Sequence, residues 1–426
     1  MLDGWSMFEF LREVKSRYDY KYIEKSVDIS FRDYVLYKKE IDSSKYEKDK
    51  DYWLSRLNSF SHTPELSIMT KNNNNRLEQK FSRKEAVIEK NKWLKLKEIS
   101  IKNNITPTAV LISLFSTVIS KYSGKDNFVI NITQFTKDDI HPQIYKIMGD
   151  FTDLSLLEIN LDKKSSIIDN SKKIQSQLIS DLEHSSYSTI DFLRELKKCK
   201  DDAEVGTIVF TSGLGMQSNT RESFLGELIY SISQTPQVWL DHQAMEFDGN
   251  LILIWDYVSN LFMSDAIDIC FADYLKIINM FVENYENKIS ELLELTNNNS
   301  IDFNKDNLDK ICNIEQIEAS QLNDKHISNN ELAKADILLE NKVIEIIKTV
   351  LNLDKLEPED DFFKVGGNSL NAVQLTNLVN KNFDINLSIV SILENSLIKD
   401  FYSVINNEIK SRKMTDRNDG NEVGFI

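Results

Sequence analysis

The stretch TNNNSIDFNKDNLDK, Thr296–Lys310, does most to limit how this chain can fold. It is rich in Asn, Asp and Lys, and it interrupts the hydrophobic periodicity on both sides. A segment of that composition buries too little apolar surface to offset the entropy of ordering it, so it reads as a linker. The linker reading extends over 296–332 and divides the 426 residues into a large N-terminal unit and a small C-terminal one. With 41% of its residues hydrophobic, the chain has material for a core in each unit. A second polar run, KNNNNR at Lys71–Arg76, reads as a solvated loop inside the large unit.

Helical and strand patterns alternate along the large unit. Trp5–Tyr18 and Asp49–Phe60 carry a helical rhythm. Thr106 as N-cap, Pro107 in the first helical position and Gly124 after the last turn delimit a third helix. Phe128–Phe135 and Leu154–Leu161 alternate as strands, with a turn and strand entry at Met148–Asp153, and Ser166–Glu183 reads as helix. A strand-rich block follows: Gly206–Ser212, Glu227–Ser233, Gln237–Phe247 and Asn250–Val258. The last two flank Asp248-Gly249, which suits a two-residue type I′ hairpin. An unbulged hairpin pairs Phe247 with Asn250, and hence Asp241 with Asp256, two carboxyls that would share a proton. Helix resumes near Ser264 and runs to about Leu295.

A net charge of −16 disfavours nucleic acid and anionic membrane surfaces as partners, because both demand clustered Lys and Arg. The three cysteines, Cys199, Cys270 and Cys312, are widely spaced without a CxxC, which reads as reduced thiols rather than a disulfide frame or zinc site. Five scattered histidines argue against a metal centre. No apolar run reaches the ~18–20 residues of a membrane span, and MLDGWSMFEF lacks the features of a signal peptide. The expected location is the cytoplasm.

In the small unit, ENKVIEIIKTVLNL places Val343, Ile344, Ile347, Val350 and Leu351 on one helix face, and SLNAVQLTNLVNKNF makes another helix. Ser369 stands at the start of the second, after Gly366-Gly367-Asn368, where from residue type alone it serves as a helix N-cap. The string DDFFKVGGNSL, within a helix–loop–helix–helix pattern over 333–410, resembles the acyl and peptidyl carrier proteins. That resemblance implies a small four-helix carrier domain in which 4′-phosphopantetheine is esterified to the Ser369 hydroxyl by a phosphopantetheinyl transferase. A helix N-terminus is a favourable place for the phosphodiester. The acidic Glu357, Glu359, Asp360 and Asp361 suit a basic transferase surface.

Several stretches of the large unit also fit one family. IVFTS (Ile208–Ser212), SQTPQVWLDHQ (Ser233–Gln243) and MGDFT (Met148–Thr152) resemble the heterocyclization domains of nonribosomal peptide synthetases, a branch of the condensation superfamily. DGWSMFEFLRE (Asp3–Glu13), SFRDYV (Ser30–Val35), DYWLSRL (Asp51–Leu57) and IWDYV (Ile254–Val258) agree with it. The implied fold is α/β: a chloramphenicol-acetyltransferase-like lobe over 61–295, with a mixed sheet and flanking helices. The implied activity is amide formation followed by cyclodehydration of a carrier-bound Cys, Ser or Thr to thiazoline or oxazoline. Thr211 and Asp241 match the pair implicated in ring formation. Asp241 would shuttle protons, since water is a poor leaving group without an acid, and Thr211 would orient it or the departing oxygen. Burial beside Trp239 should raise the Asp241 pKa. His242 should point to the opposite face, and Trp239 and Trp255 read as packing.

The resemblance departs from the full pattern at the N-terminus. Asp3 matches the second Asp of the family's DxxxxD motif, and the first would precede Met1. Residues 1–60 therefore read as the end of a first lobe and its crossover, the rest to be supplied by another polypeptide. The interval between the units is too short for an adenylation domain, so loading in trans and an upstream carrier are implied partners. Residues 411–426 read as a disordered tail. Two other readings stay open: a carrier and docking module whose truncated condensation-like domain is not catalytic, and ordinary condensation without cyclisation.

Overall fold

The computed structural model describes residues 2–19, 27–39, 43–66, 79–135, 137, 140–141, 143–199, 206–214, 222–223, 226–227, 231–235, 237–263, 265–297, 334–351, 353, 355–363, 365, 367, 369–385, 387, 391–392 and 395–418. The Lys71–Arg76 run, the linker beyond Asn297, Cys312, Gly366, Asn368 and the residues after Asn418 lie outside them.

The large unit is built on a six-stranded mixed sheet. Its strands are β1 (Phe81–Ile88), β2 (Asn127–Phe135), β3 (Thr152–Asn160), β4 (Ile208–Gly213), β7 (Leu240–Phe247) and β8 (Asn250–Val258), in the order β1-β8-β7-β4-β2-β3. The two-residue β5 (Glu222–Ser223) and β6 (Gly226–Glu227) form a separate ladder. β4 runs parallel to both β2 and β7, and the other pairings are antiparallel. The β7–β8 hairpin turns on Asp248 and Gly249 with φ of 52° and 77°, the left-handed pair a type I′ turn requires. Without a bulge, Phe247 pairs Asn250 and Asp241 pairs Asp256, as the dipeptide predicted.

One face of the sheet carries the core. Helices α4 (Lys90–Lys102), α5 (Pro107–Ser123) and α8 (Ala266–Glu283) enclose a continuous apolar cluster with its inward residues, among them Phe210, Leu253 and Trp255. α5 is buried all along Pro107–Ser120 and its polar residues there are small; the Thr117 hydroxyl donates to the Ser113 carbonyl at 2.9 Å, and the Thr108 hydroxyl bonds that of Ser212 on β4 at 3.1 Å. Its limits follow the expected signals: the Thr106 hydroxyl accepts from Ala109 N–H, and Gly124 ends it at φ 66°. α6 (Ile167–Glu183) begins with a capping box between Ser166 and Asp169.

Three short helices, α1 (Gly4–Tyr18), α2 (Phe31–Lys39) and α3 (Ser43–Ser55), precede the sheet. Asp3 fixes the first, its carboxylate accepting from Ser6 N–H at 2.7 Å and from Phe151 N–H at 2.8 Å. Phe151 in turn packs edge-on to Phe31 and Tyr34, so MGDFT, DGW and SFRDYV form one cluster. α3 leads to Arg56, which donates to Asp181 at 2.6 Å and to Glu158 at 2.7 Å. The next helices, α7 (Thr189–Cys199) and α9 (Ile289–Asn297), lie before β4 and after α8 in the chain.

Three expectations are corrected. Ser231–Thr235 has no strand, because the Ser233 N–H is drawn to the Asp256 carboxylate instead of a neighbouring backbone. The helix expected from Ser264 to Leu295 is two helices, divided where the Asn284 side chain accepts from Glu286 N–H and competes with helical bonding. The segment read as disordered tail is helical as far as Asn418; no Gly or Pro stands between Ile398 and Gly420 to end the helix earlier.

The small unit has its own core. α10 (Lys334–Leu351), α11 (Ser369–Phe383) and the C-terminal helix Ile398–Asn418 enclose Val343, Ile347, Phe362, Leu375, Val379 and Phe401. Phe362 and Phe363 meet edge to face at 5.1 Å.

Candidate active site on the polar face of the sheet

The face of the sheet opposite Phe210 and Trp255 carries the candidate residues. Register sets Arg83, Asp256, Asp241, Val209 and Asn131 side by side across β1, β8, β7, β4 and β2. Because alternate residues share a face, the next row there contains Gln243, Thr211 and Thr133. Thr211 and Asp241, thirty positions apart in the chain, thus meet on adjacent parallel strands.

Asp241 is 9% exposed, and burial raises its pKa above the ordinary carboxyl value. The Asp256 charge raises it further, while Gln243, Ser233 and Thr211 favour the carboxylate. Its Oδ2 accepts from Gln243 Nε2 at 3.0 Å. Its Oδ1 is buried and has no partner of normal hydrogen-bond geometry among the described residues. The Thr211 hydroxyl donates to Thr133 Oγ1 at 3.0 Å, leaving its lone pairs to accept.

Asp256 is not a free partner for a shared proton, which refines the simple dyad expected from the hairpin. Arg83 grips it with two bonds, Nε to Oδ1 at 2.7 Å and Nη2 to Oδ2 at 2.6 Å. Ser233 N–H at 2.7 Å and Gln243 Nε2 at 3.2 Å also reach its Oδ2. Gln243 therefore spans the two carboxyls. Sequence reasoning missed Arg83 and Gln243; for Gln243 the available signal was its i+2 position from Asp241, on the same strand face.

His242 points into the core as expected. It stacks on Phe210 with centroids 4.5 Å apart and bonds Tyr274 Oη through Nε2 at 2.9 Å. Burial pushes its pKa down to about 3, so it is neutral and structural. Trp255 is buried in the same cluster, and Trp239 is partly buried against it.

Asp3, singled out through the DxxxxD pattern, is a buried structural residue whose oxygens serve backbone N–H groups. In the small unit, Ser369 is the first residue of α11. The loop before it is held close: Gly367 N–H donates to the Phe362 carbonyl at 2.8 Å, and a Cβ at Gly367 would collide with the Phe362 ring. A serine opening a helix after so tight a loop fits attachment of 4′-phosphopantetheine. The expected acidic surface is smaller than supposed. Asp361 is buried, accepting from Ser396 Oγ and Phe363 N–H, while Glu357 and Glu359 are exposed.

Comparison with known proteins agrees with both units. The condensation-domain family matches residues 1–301, and the phosphopantetheine attachment site family matches 341–405. Bacitracin synthase 1 of Bacillus licheniformis is 32% identical over 286 residues, 65% of this chain and 5% of that protein. Pyochelin synthetase PchF of Pseudomonas aeruginosa is 29% identical over 287 residues, covering 65% and 16%. Phenyloxazoline synthase MbtB of Mycobacterium tuberculosis is 29% identical over 230 residues, covering 53% and 16%. The chain thus spans a small part of each of these relatives. Among solved structures, the EpoB cyclization-docking bidomain of Sorangium cellulosum superposes with a TM-score of 0.61 at 29% identity, over 67% of this chain and 59% of that one. The fold, the polar face of its sheet and these matches together show that the chain belongs to the condensation-domain family of nonribosomal peptide synthesis, with a phosphopantetheine-bearing carrier domain attached.

Proposed function

We propose that the large unit forms an amide to a carrier-bound Cys, Ser or Thr and then cyclodehydrates it to a thiazoline or oxazoline. The observation that carries this reading is Asp241: a buried carboxyl beside Thr211, with one oxygen that has no partner among the described residues. Phosphopantetheine supplies the thiol that holds acyl groups on the carrier. Attack of the substrate's side-chain thiol or hydroxyl on the amide carbon gives a ring bearing a hydroxyl group. Asp241 Oδ1 donates its proton to that hydroxyl, which leaves as water. The carboxylate so formed takes the ring N–H proton as the C=N bond closes, restoring the acid. Thr211, whose hydroxyl bonds Thr133 and lies close enough to Asp241 to act on it, has lone pairs that accept a hydrogen bond from the departing hydroxyl.

Ser369 is the proposed attachment point for the arm. Similarity to a phenyloxazoline synthase and to a cyclization bidomain supports ring formation over plain condensation. The proposed partners are a phosphopantetheinyl transferase, an adenylation domain in trans and an upstream carrier.

The test is reconstitution with these partners, coenzyme A, a carrier-loaded Cys and an acyl donor, read by intact mass of the carrier. A gain of phosphopantetheine that Ser369→Ala abolishes, followed by amide product less one water, supports the reading. Amide retaining its water favours ordinary condensation, and no product favours a docking module.

A further inference from the structure

On the reading that Asp241 is the proton donor, its neighbours raise a question of charge. Two carboxyls, Asp241 and Asp256, face each other in register within a buried row, and only one can be ionised without strong repulsion. We propose that Arg83 and Asp256 are positioning residues: their ion pair takes the single negative charge and leaves Asp241 as the member that holds the proton.

The geometry is asymmetric. Asp256 receives hydrogen bonds from Arg83 Nε and Nη2, from Ser233 N–H and from Gln243 Nε2, at 2.6–3.2 Å. Its side chain is 1% exposed and the guanidinium 15%, so solvent screens the pair little. Among the described residues, no cation pairs with Asp241. Its Oδ2 accepts a neutral bond from Gln243, the neutral Ser233 and Thr211 side chains are the other groups that favour its carboxylate, and its Oδ1 has no partner of normal hydrogen-bond geometry among the described residues.

Gln243 ties the two states together. Both of its Nε2 hydrogens are committed, one to each carboxyl, so both acceptors must offer lone pairs on the Oδ2 side. The Asp241 proton then resides on Oδ1, the oxygen free to meet a substrate. The charged and titratable groups facing Asp241 are Asp256 from β8 and, behind it, Arg83 from β1. β4 presents Thr211, and the segment before β7 presents Ser233, neither of which titrates. Burial and the Asp256 charge act in the same direction on Asp241, both favouring the acid.

Infrared difference spectroscopy of the full chain against pH reads the protonated-acid carbonyl directly and needs no turnover. It can therefore fail independently of the heterocyclization reading. The proposal expects an acid band that persists above the range where ordinary carboxyls ionise. Asp241→Asn should remove the Asp241 component of that band, measured in an Asp181→Asn background because Asp181 is also a buried acid of raised pKa. Asp256→Asn should retain it, with its midpoint shifted to lower pH. Arg83→Gln should shift the midpoint higher and spread the proton, so that Arg83→Gln/Asp241→Asn keeps a band from Asp256. Arg83→Lys keeps the charge and should leave the band on Asp241, which guards against an unfolded Arg83→Gln. A band untouched by Asp241→Asn overturns the proposal. So does one whose midpoint is the same with and without Arg83.

Discussion

Replacing Arg56 with Met gives a prediction whose size follows from burial. Arg56 joins α3 to the large unit by ion pairs to Glu158 and Asp181, and its guanidinium lies 4.9 Å from the Trp53 ring. The Asp181 side chain is fully buried and Glu158 is 23% exposed, so the loss falls mainly on Asp181. An unpaired buried carboxylate can escape its penalty by taking a proton, and that limits the cost. Protonating a group of ordinary carboxyl pKa costs about 4 kcal/mol near pH 7 but only about 1.5 near pH 5. Burial already raises Asp181 above its unfolded value, against the opposing pull of Arg56. A raised acid contributes stability that is fully present at low pH and lost as pH rises through the folded pKa, and Arg56→Met lifts that pKa further. The destabilisation should therefore be at most about 4 kcal/mol near pH 7 and at most about 1.5 near pH 5, with Tm lower by up to roughly 8–16 °C at the higher pH. All five tryptophans belong to the large unit, so tryptophan fluorescence during denaturation follows it without the carrier. Arg56→Met/Asp181→Asn should recover most of the loss. A penalty below about 1 kcal/mol, or one equal at both pH values, would refute the reasoning.

Gly367→Ala should loosen the carrier loop against Phe362, lowering the thermal midpoint of the small unit and slowing phosphopantetheine attachment; an unchanged attachment rate counts against the tight loop. Asp3→Ala removes an N-cap and an acceptor for Phe151 N–H, at a cost of about 1–3 kcal/mol by urea denaturation. Tyr274→Phe should cost about 1 kcal/mol, read by the same denaturation, and leave ring formation unchanged, since His242 and Tyr274 face the core. Cyclodehydration should slow as pH rises through the elevated pKa of Asp241, because the acid form is the proposed donor; a rate flat with pH in single-turnover assays contradicts that role.

Local chemistry made much of this fold legible in advance. Thr106, Pro107 and Gly124 bounded α5, and Asp248-Gly249 set the register that pairs Asp241 with Asp256. What stayed hidden depends on contacts distant in the chain. Arg83 reaches Asp256 across 173 positions, and nothing near Arg83 in sequence marks it as a partner. The same contact region misled the strand assignment at Ser231–Thr235, where a side-chain carboxylate captured a backbone donor. The acidic loop before Ser369 misled in another way: Asp361 is spent on holding Ser396 and Phe363, a use that composition cannot distinguish from surface charge.

The central claim is that Asp241 drives water loss, and the most direct test starts after the amide is made. A preformed, uncyclised acyl-cysteinyl substrate on the proposed Ser369 arm, within the reconstituted assembly, isolates the ring-forming steps. Intact-mass time courses should show loss of one water in the parent chain. Asp241→Asn should leave the amide intact while the carrier remains fully loaded. Dehydration at the parent rate in Asp241→Asn would contradict the account.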